Sequence, residues 1–324
     1  MWKTTLRRFI ILIPQLIALS LLIFILAEIM PGDALFGTFI EDPTMDHATI
    51  HQMMLDAGFF DPWYVNYARW MGNMFQGDFG SSLIHRRPVT EMIGERMGNT
   101  LLLSTVSVLI IYSFAIPLGI IAGRWFGKWP EKVISVYNFL QLAFPTVVFA
   151  IVLQWTFAIT LGVLPLRGSV DIVVVSGGDP FAIFISRIRH AILPALSLSL
   201  LAGVGVIQLL ANEINDYKNM DFTTLAISKG VPLNHVYTKH IFRNSILPIA
   251  ASSGGIIVGL FSGAVIIETI FTFPGMGQLF VNSIGQRDWP VANFLIIFYA
   301  TLSVIGFLIS DIMLTVFDPR IRIK

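Results

Sequence analysis

Residues Asp221–Pro248 read DFTTLAISKGVPLNHVYTKHIFRNSILP, and the rest of the chain takes its meaning from them. This is the one long polar stretch between apolar segments that also reads as well-formed helix. Asp221 is placed to cap a short helix through Ile227, because a carboxylate there accepts the free N–H groups of a first turn. Gly230 supplies a left-handed exit that other residues reach only with strain. Pro232 stands where a second helix starts, with its φ already set and no N–H to lose. In that second helix Leu233, Val236, Tyr237, His240 and Ile241 fall at i, i+3, i+4, i+7 and i+8, which puts them on one face. His235 and His240, at i and i+5, would turn away from each other. The stretch predicts a helix–turn–helix knob suited to docking another protein.

On either side the sequence is apolar. Of 324 residues, 55% are hydrophobic and 13% charged, with a mean hydropathy of +0.75. Soluble domains carry about 25% charged residues, so this composition belongs in a lipid bilayer. The formal net charge of +1 and the lack of a basic cluster with interleaved aromatics give no sign of nucleic-acid binding. Cysteine is absent, which excludes disulfides, thiolate metal sites and thiol nucleophiles.

Six apolar runs are long enough for the ~20 helical residues that cross ~30 Å of hydrocarbon. They lie near 9–29, 100–122, 133–161, 191–211, 247–270 and 291–316. The first follows Lys3, Arg7 and Arg8 but is too long for a typical signal-peptide core. No small-residue cleavage site follows it, so it reads as a retained span. Lys and Arg concentrate in alternate loops (Lys3, Arg7, Arg8; Arg124, Lys128, Lys132; Lys218, Lys229, Lys239, Arg243; Arg320, Arg322, Lys324). By the positive-inside rule those loops are cytoplasmic, which predicts six spans with both termini inside. The knob is then cytoplasmic too. The long outer segment carries an aromatic stripe, Trp63, Tyr67, Trp70, Met71 and Met74, on one helical face. Such a helix either lies in the headgroup layer or forms the core of a small outer subdomain.

Ala251, Gly255, Gly259 and Gly263 recur every four residues along the fifth run, a pattern that lets another helix approach closely. The approaching helix belongs either to this chain or to a partner subunit. Glu28, Glu268 and Asp311 lie near the ends of their runs, where a carboxylate can reach headgroups or water. No carboxylate lies at a span centre, which argues against a proton-driven carrier with a buried relay. His47 and His51 have the spacing of two metal ligands but lack the Glu and third ligand of a zinc-protease helix. No phosphate-cradling loop and no nucleophile elbow occurs. Energy must therefore come from a partner or from an ion gradient. Polar side chains within or beside the apolar runs, Asn138, Gln141, Gln154, Asn212 and Glu268, are candidates to line a path.

Asp221–Gly230 with Asn244–Pro248 resembles the cytoplasmic loop of binding-protein-dependent ABC importer permeases, whose motif runs Glu-Ala-Ala, then Gly, then Ile-x-Leu-Pro. It looks most like the peptide-importer branch, at Asp221, Phe222, Ala226, Lys229, Gly230, His240, Arg243, Asn244, Leu247 and Pro248. Thr224-Leu225-Ala226 stands in place of Glu-Ala-Ala, and Leu209–Asn219 departs from the Arg- and Met-bearing stretch usual before the loop. Further blocks resemble the family in order: Gly77–Ser82, Pro88-Val89 and Asn99–Leu101; Pro145-Thr146 and Leu161–Pro165; Glu268–Phe271, Phe273–Gly277 and Arg287–Pro290; Asp318–Arg322.

The resemblance implies an all-α, multi-pass bacterial plasma-membrane protein with the type I ABC importer permease fold. Residues 1–30 would be the tail and first span, 31–98 an extracytoplasmic segment, 99–317 the core permease with a coupling loop at 213–246, and 318–324 a cytoplasmic tail. It implies a heterodimer with a second permease and two cytoplasmic ATPase subunits that bind the ATP and Mg. An extracytoplasmic binding protein would deliver oligopeptides, and this chain itself would hold no cofactor. On that reading Asp221, Ala226, Lys229, Gly230, Val231 and Leu233 meet the ATPase. An importer of dipeptides, nickel or another small solute in the same branch fits the same motifs. A stand-alone secondary transporter is the reading from a different class.

Overall fold

The computed structural model describes residues 13–22, 61–82, 84–286 and 288–317, isolated residues 10, 24, 25 and 55, and all side chains within these except those at 257, 262, 263 and 317. His47, His51 and Glu28 lie outside the described residues. Described residues are overwhelmingly helical, with one isolated bridge, Ser81 to Pro88, and no strand among them. They form two compact units, 1–98 with 275–304, and 99–274 with 305–324.

The first unit holds α1 (Ile13–Leu22), α2 (Trp63–Phe75), the opening turns of α3 (Val89–Arg124), α12 (Met276–Gly285) and the first half of α13 (Trp289–Phe317). Its core joins Val89, Met92 and Ile93 to Met276, Leu279, Val291 and Leu295. Phe79 stands edge-on to Phe294 at 4.5 Å, and the Ser82 hydroxyl donates to the buried Asp288 carboxylate. The aromatic stripe is helical as its spacing predicts. Tyr67 and Trp70 are half-buried and share the ring of Phe24, and the Tyr67 and Ser20 hydroxyls are 2.8 Å apart. The stripe thus packs partly on the N-terminal apolar segment. No residue of α2 is fully buried.

The second unit is built on α7 (Pro180–Tyr217), the most buried of the long apolar helices. Around it lie the rest of α3, α4 (Trp129–Ala143), α5 (Thr146–Leu153), α6 (Ile172–Ser176) and α11 (Leu247–Ile270). Pro194 sits buried within α7, and Pro117, exposed, lies within α3. Proline is tolerated in membrane helices because neighbouring groups satisfy the freed carbonyls.

Among the described residues four helices are long and apolar enough to cross a membrane: α3, α7, α11 and α13. The run at 133–161, expected as one span, is broken instead. Its halves, α4 and α5 with the π-helical Gln154–Thr160, meet at 102°. Phe144 is extended (φ −89°, ψ 128°) just before Pro145, the conformation proline imposes on the residue before it. Counting the bent pair as one span gives five; of the expected first span the described part is chiefly the ten-residue apolar helix Ile13–Leu22, too short by itself to cross.

One contact sets how closely two of these helices approach. Gly254 of α11 lies against the backbone of Gly306 in α13, where an added Cβ would fall 1.7 Å from the Gly306 carbonyl oxygen. The Gly254 N–H also reaches Ser310 Oγ at 2.8 Å. The Gly255–Gly259 stripe points elsewhere, and a Cβ at either position meets nothing within 4 Å. We expect Gly254→Ala to part the helices and cost about 1–3 kcal/mol, the usual penalty of overpacking. Gly255→Ala should stay within about 0.5 kcal/mol in the isolated chain. Thermal unfolding of the two purified variants in detergent compares them directly.

Candidate functional site

The polar loop leaves the C-terminus of α7 and forms α8 (Asp221–Ser228), a turn, then α9 (Leu233–His235), a π-helical turn Val236–Ile241 and α10 (Phe242–Ser245). Its first half follows its local chemistry. Gly230 adopts φ +76°; its N–H bonds Ile227 O (2.9 Å) and the Val231 N–H bonds Ala226 O (3.2 Å). That pair of bonds is the Schellman termination, which satisfies the carbonyls of a last helical turn. The N-terminus differs from expectation. Met220 holds the cap position, and Asp221 is the first helical residue with no side-chain capping bond, so its carboxylate acts only on the helix dipole. Thr223 Oγ1 instead ties the loop back to Tyr217 O at 2.9 Å.

The second half corrects three expectations. A π-turn closes i→i+5 bonds, so residues five apart stack where residues four apart would in an α-helix. Val236 and Ile241 are therefore the fully buried pair, Ser245 continues the inward face, and Leu233 and His240 point outward. The five-residue face expected from α spacing does not form. For the same reason His235 and His240 meet, their rings edge-on at 6.0 Å. Pro232 is the cap of this segment rather than its first helical residue.

The loop has an inner and an outer side. Ala226 is buried in the core of the unit and Val231 is half-buried against it, so neither presents its side chain fully outward. Asp221, Lys229, Gly230 and Leu233 are exposed, together with Leu225 and Ile227, which the sequence reading did not single out. The loop is also braced from α3. Arg124 Nη1 donates to Asn234 Oδ1 at 2.5 Å, and its guanidinium lies 4.5 Å from the Trp125 ring and 5.3 Å from the Tyr237 ring. In the sequence Arg124 stands out only for its charge; no spacing links it to a residue 110 positions away.

The candidate path residues lie on separate elements. Asn138 of α4 is buried, and its Oδ1 has no hydrogen-bond partner among the described residues. Gln141 is half-buried on the same helix and Asn212 is exposed on α7. Gln154 Nε2 donates to Leu166 O at 2.9 Å, closing the π-helical segment onto the following loop. Glu268 does not reach headgroups or water, as its place near a helix end suggested. It is fully buried and accepts from Thr100 Oγ1 at 3.0 Å, while its carbonyl accepts from the Phe273 N–H at 2.8 Å. Asn99 Nδ2 donates to Pro274 O at 2.9 Å and the Gly168 N–H to Phe271 O at 3.1 Å, so Glu268–Pro274 is anchored by α3 and by the loop that carries Gly168. In the stripe of small residues Ala251, Gly255 and Gly259 lie on an exposed face, and the side of Gly263 is not described.

The family of binding-protein-dependent transport system inner membrane components matches residues 115–323, from the middle of α3 past the end of α13. An oligopeptide transport system permease protein, AppB of Bacillus subtilis, is 37% identical over 317 residues, 98% of each chain. A glutathione transport system permease protein, GsiC of Escherichia coli (strain K12), is 29% identical over 324 residues, the full length of both.

Thr100→Val keeps the shape of the threonine and removes one donor from the buried Glu268. The cost expected for weakening a buried polar contact is about 1–3 kcal/mol. It should appear as a lowered unfolding midpoint, and the control Thr105→Val should leave the midpoint unchanged, because the Thr105 hydroxyl is exposed and bonds only within its own helix.

Proposed function

The chain belongs to the family of binding-protein-dependent transport system inner membrane components, and from that premise we propose that it is the permease subunit of an ATP-driven importer of oligopeptides. The observation that carries this reading is the exposed, capped loop 221–245 set directly on the end of α7. The near-full-length likeness to an oligopeptide permease supports the peptide substrate. The glutathione permease likeness keeps short peptides within the same reading.

On this reading six spans place both termini in the cytoplasm, with the segment at 1–30 contributing the first and the bent pair α4–α5 acting as one. The segment at 31–98 faces outward, 99–317 forms the core permease, and 318–324 is a cytoplasmic tail. Leu225, Ile227, Lys229 and Leu233, with Asp221 and Gly230 shaping the turn, enter a groove on a cytoplasmic ATPase subunit. Ala226 and Val231 hold that surface to the core. A second permease packs on the Ala251–Gly255–Gly259–Gly263 face, where close helix approach replaces the hydrophobic drive that lipid cannot supply. ATP and Mg are bound by the two ATPases, and an extracytoplasmic binding protein delivers the peptide. ATP binding draws the ATPases together, the docked loops follow, and the path opens outward. Arg124 transmits that movement to α3 through Asn234 and Tyr237.

Two experiments test the scheme. Gly230→Glu places a bulky charge where φ is positive. Wild type should co-purify with a second permease and two ATPases, and the variant should lose the ATPases. Wild type that purifies alone and still transports would instead identify a gradient-driven carrier. Arg124→Ala should keep the ATPases bound and ATP hydrolysis running while peptide uptake into vesicles falls roughly tenfold, a coupling loss in the common 1–3 kcal/mol range. Equal loss of hydrolysis and uptake would show that Arg124 only holds the fold.

A further inference from the structure

Beside the loop lies an open groove of about 500 Å³ walled by Tyr217, Phe222, Lys239, His240, Arg243, Asn244 and Leu247. No carboxylate lines it. Lys239 and Arg243 are exposed, and neither forms an ion pair among the described residues. Several other basic side chains are partnered: Arg69 by Asp61, Arg87 by Glu91 and Glu95, Arg124 by Asn234 and Lys218 by the Phe126 ring. An uncompensated pair of cations against apolar walls concentrates positive potential in the cleft between them. Tyr217 and Phe222, with ring centroids 6.1 Å apart, and Leu247 supply those walls.

Position narrows the ligand. Tyr217 is the last residue of α7 and Leu247 the first of α11, two of the helices long enough to cross the bilayer. The groove therefore opens at the level where apolar helix gives way to polar loop. The outward residues Leu225, Ile227 and Leu233 take no part in it. Arginine binds phosphate oxygens bidentately, lysine as a point charge, and a histidine or phenol adds a donor.

We propose that this groove binds a phosphate-bearing anion at the membrane surface, through Lys239 and Arg243. The phosphate comes either from the headgroup of an anionic phospholipid, abundant in cytoplasmic leaflets, or from a soluble phosphate. The inference uses only the membrane placement of α7 and α11, not the transported solute.

The test is native mass spectrometry of the full chain, with whatever subunits co-purify, after exchange into mixed phosphatidylglycerol and phosphatidylcholine. Wild type should retain phosphatidylglycerol over phosphatidylcholine. Lys239→Gln with Arg243→Gln should weaken that preference by at least about tenfold. Lys128→Gln with Lys132→Gln, equal in charge change but outside the groove, should not. Displacement of the bound species by millimolar inorganic phosphate identifies a soluble phosphate as the ligand, and resistance to it identifies the lipid. Should the double variant fold poorly, Lys239→Gln alone gives the same comparison. Equal retention by groove and control variants overturns the proposal. So does binding confined to chains stripped of their partners, which would make the groove part of a protein interface. The readout involves neither peptide, ATP nor uptake, so failure of the transport reading leaves it intact, and the converse holds.

Discussion

The second unit depends on the packing of α7. Within hydrocarbon, apolar side chains gain nothing by leaving lipid for one another, so helices are held by close fit and by hydrogen bonds. Both are found along α7. Ser199 Oγ reaches the Ser107 carbonyl of α3 at 3.0 Å, and Ala195, Leu198, Gly203, Val206, Ile207 and Leu210 are buried in sequence along the helix. At its C-terminal end the polar loop begins within four residues of Tyr217, bound back to it by Thr223. A loop rooted in the best-held helix of the unit can transmit a push to the spans without first deforming locally. Arg124 braces the same loop from α3, so the loop is tied to two helices.

How far the sequence foretold this depends on the range of the forces involved. The Gly230 turn was legible because its determinants lie within six residues and need no tertiary partner. The long apolar helices were legible from length and hydropathy. The π-turn was not, because choosing i+5 over i+4 rests on both Val236 and Ile241 finding the core, a fact of packing rather than of pattern. The bend at Pro145 had a visible cause, yet apolar sequence on both sides hid it from any measure of hydropathy. Glu268 followed the usual inference for a carboxylate near a helix end until Thr100, 168 residues away, supplied a buried partner. In the candidate site the turn was readable, and the inward-facing Ala226 and the Arg124 brace were not.

The glycines on α11 show how one helix serves two faces. Gly254 is spent within the chain, pressed on Gly306, whereas Gly255 and Gly259, a few positions on, leave their side open. Spacing by fours identified a stripe of small residues but could not say that the neighbouring glycine was the one the fold consumes. Charge is divided in a similar way. Arg87 shares Glu91 and Glu95, which hold its guanidinium protonated, Glu95 foremost, and these groups form a closed set at the start of α3. Among the described residues Lys239 and Arg243 have no such set.

The π-turn at Val236–Ile241 makes this loop, in effect, a helix carrying one inserted residue. Insertions of that kind are phase shifters. Removing one residue there would restore ordinary α-helical bonding, yet would rotate everything downstream by about 100°. Ser245 would swing off the core and the entry into α11 would turn with it. Chain length in this short segment keeps the loop and α11 in phase.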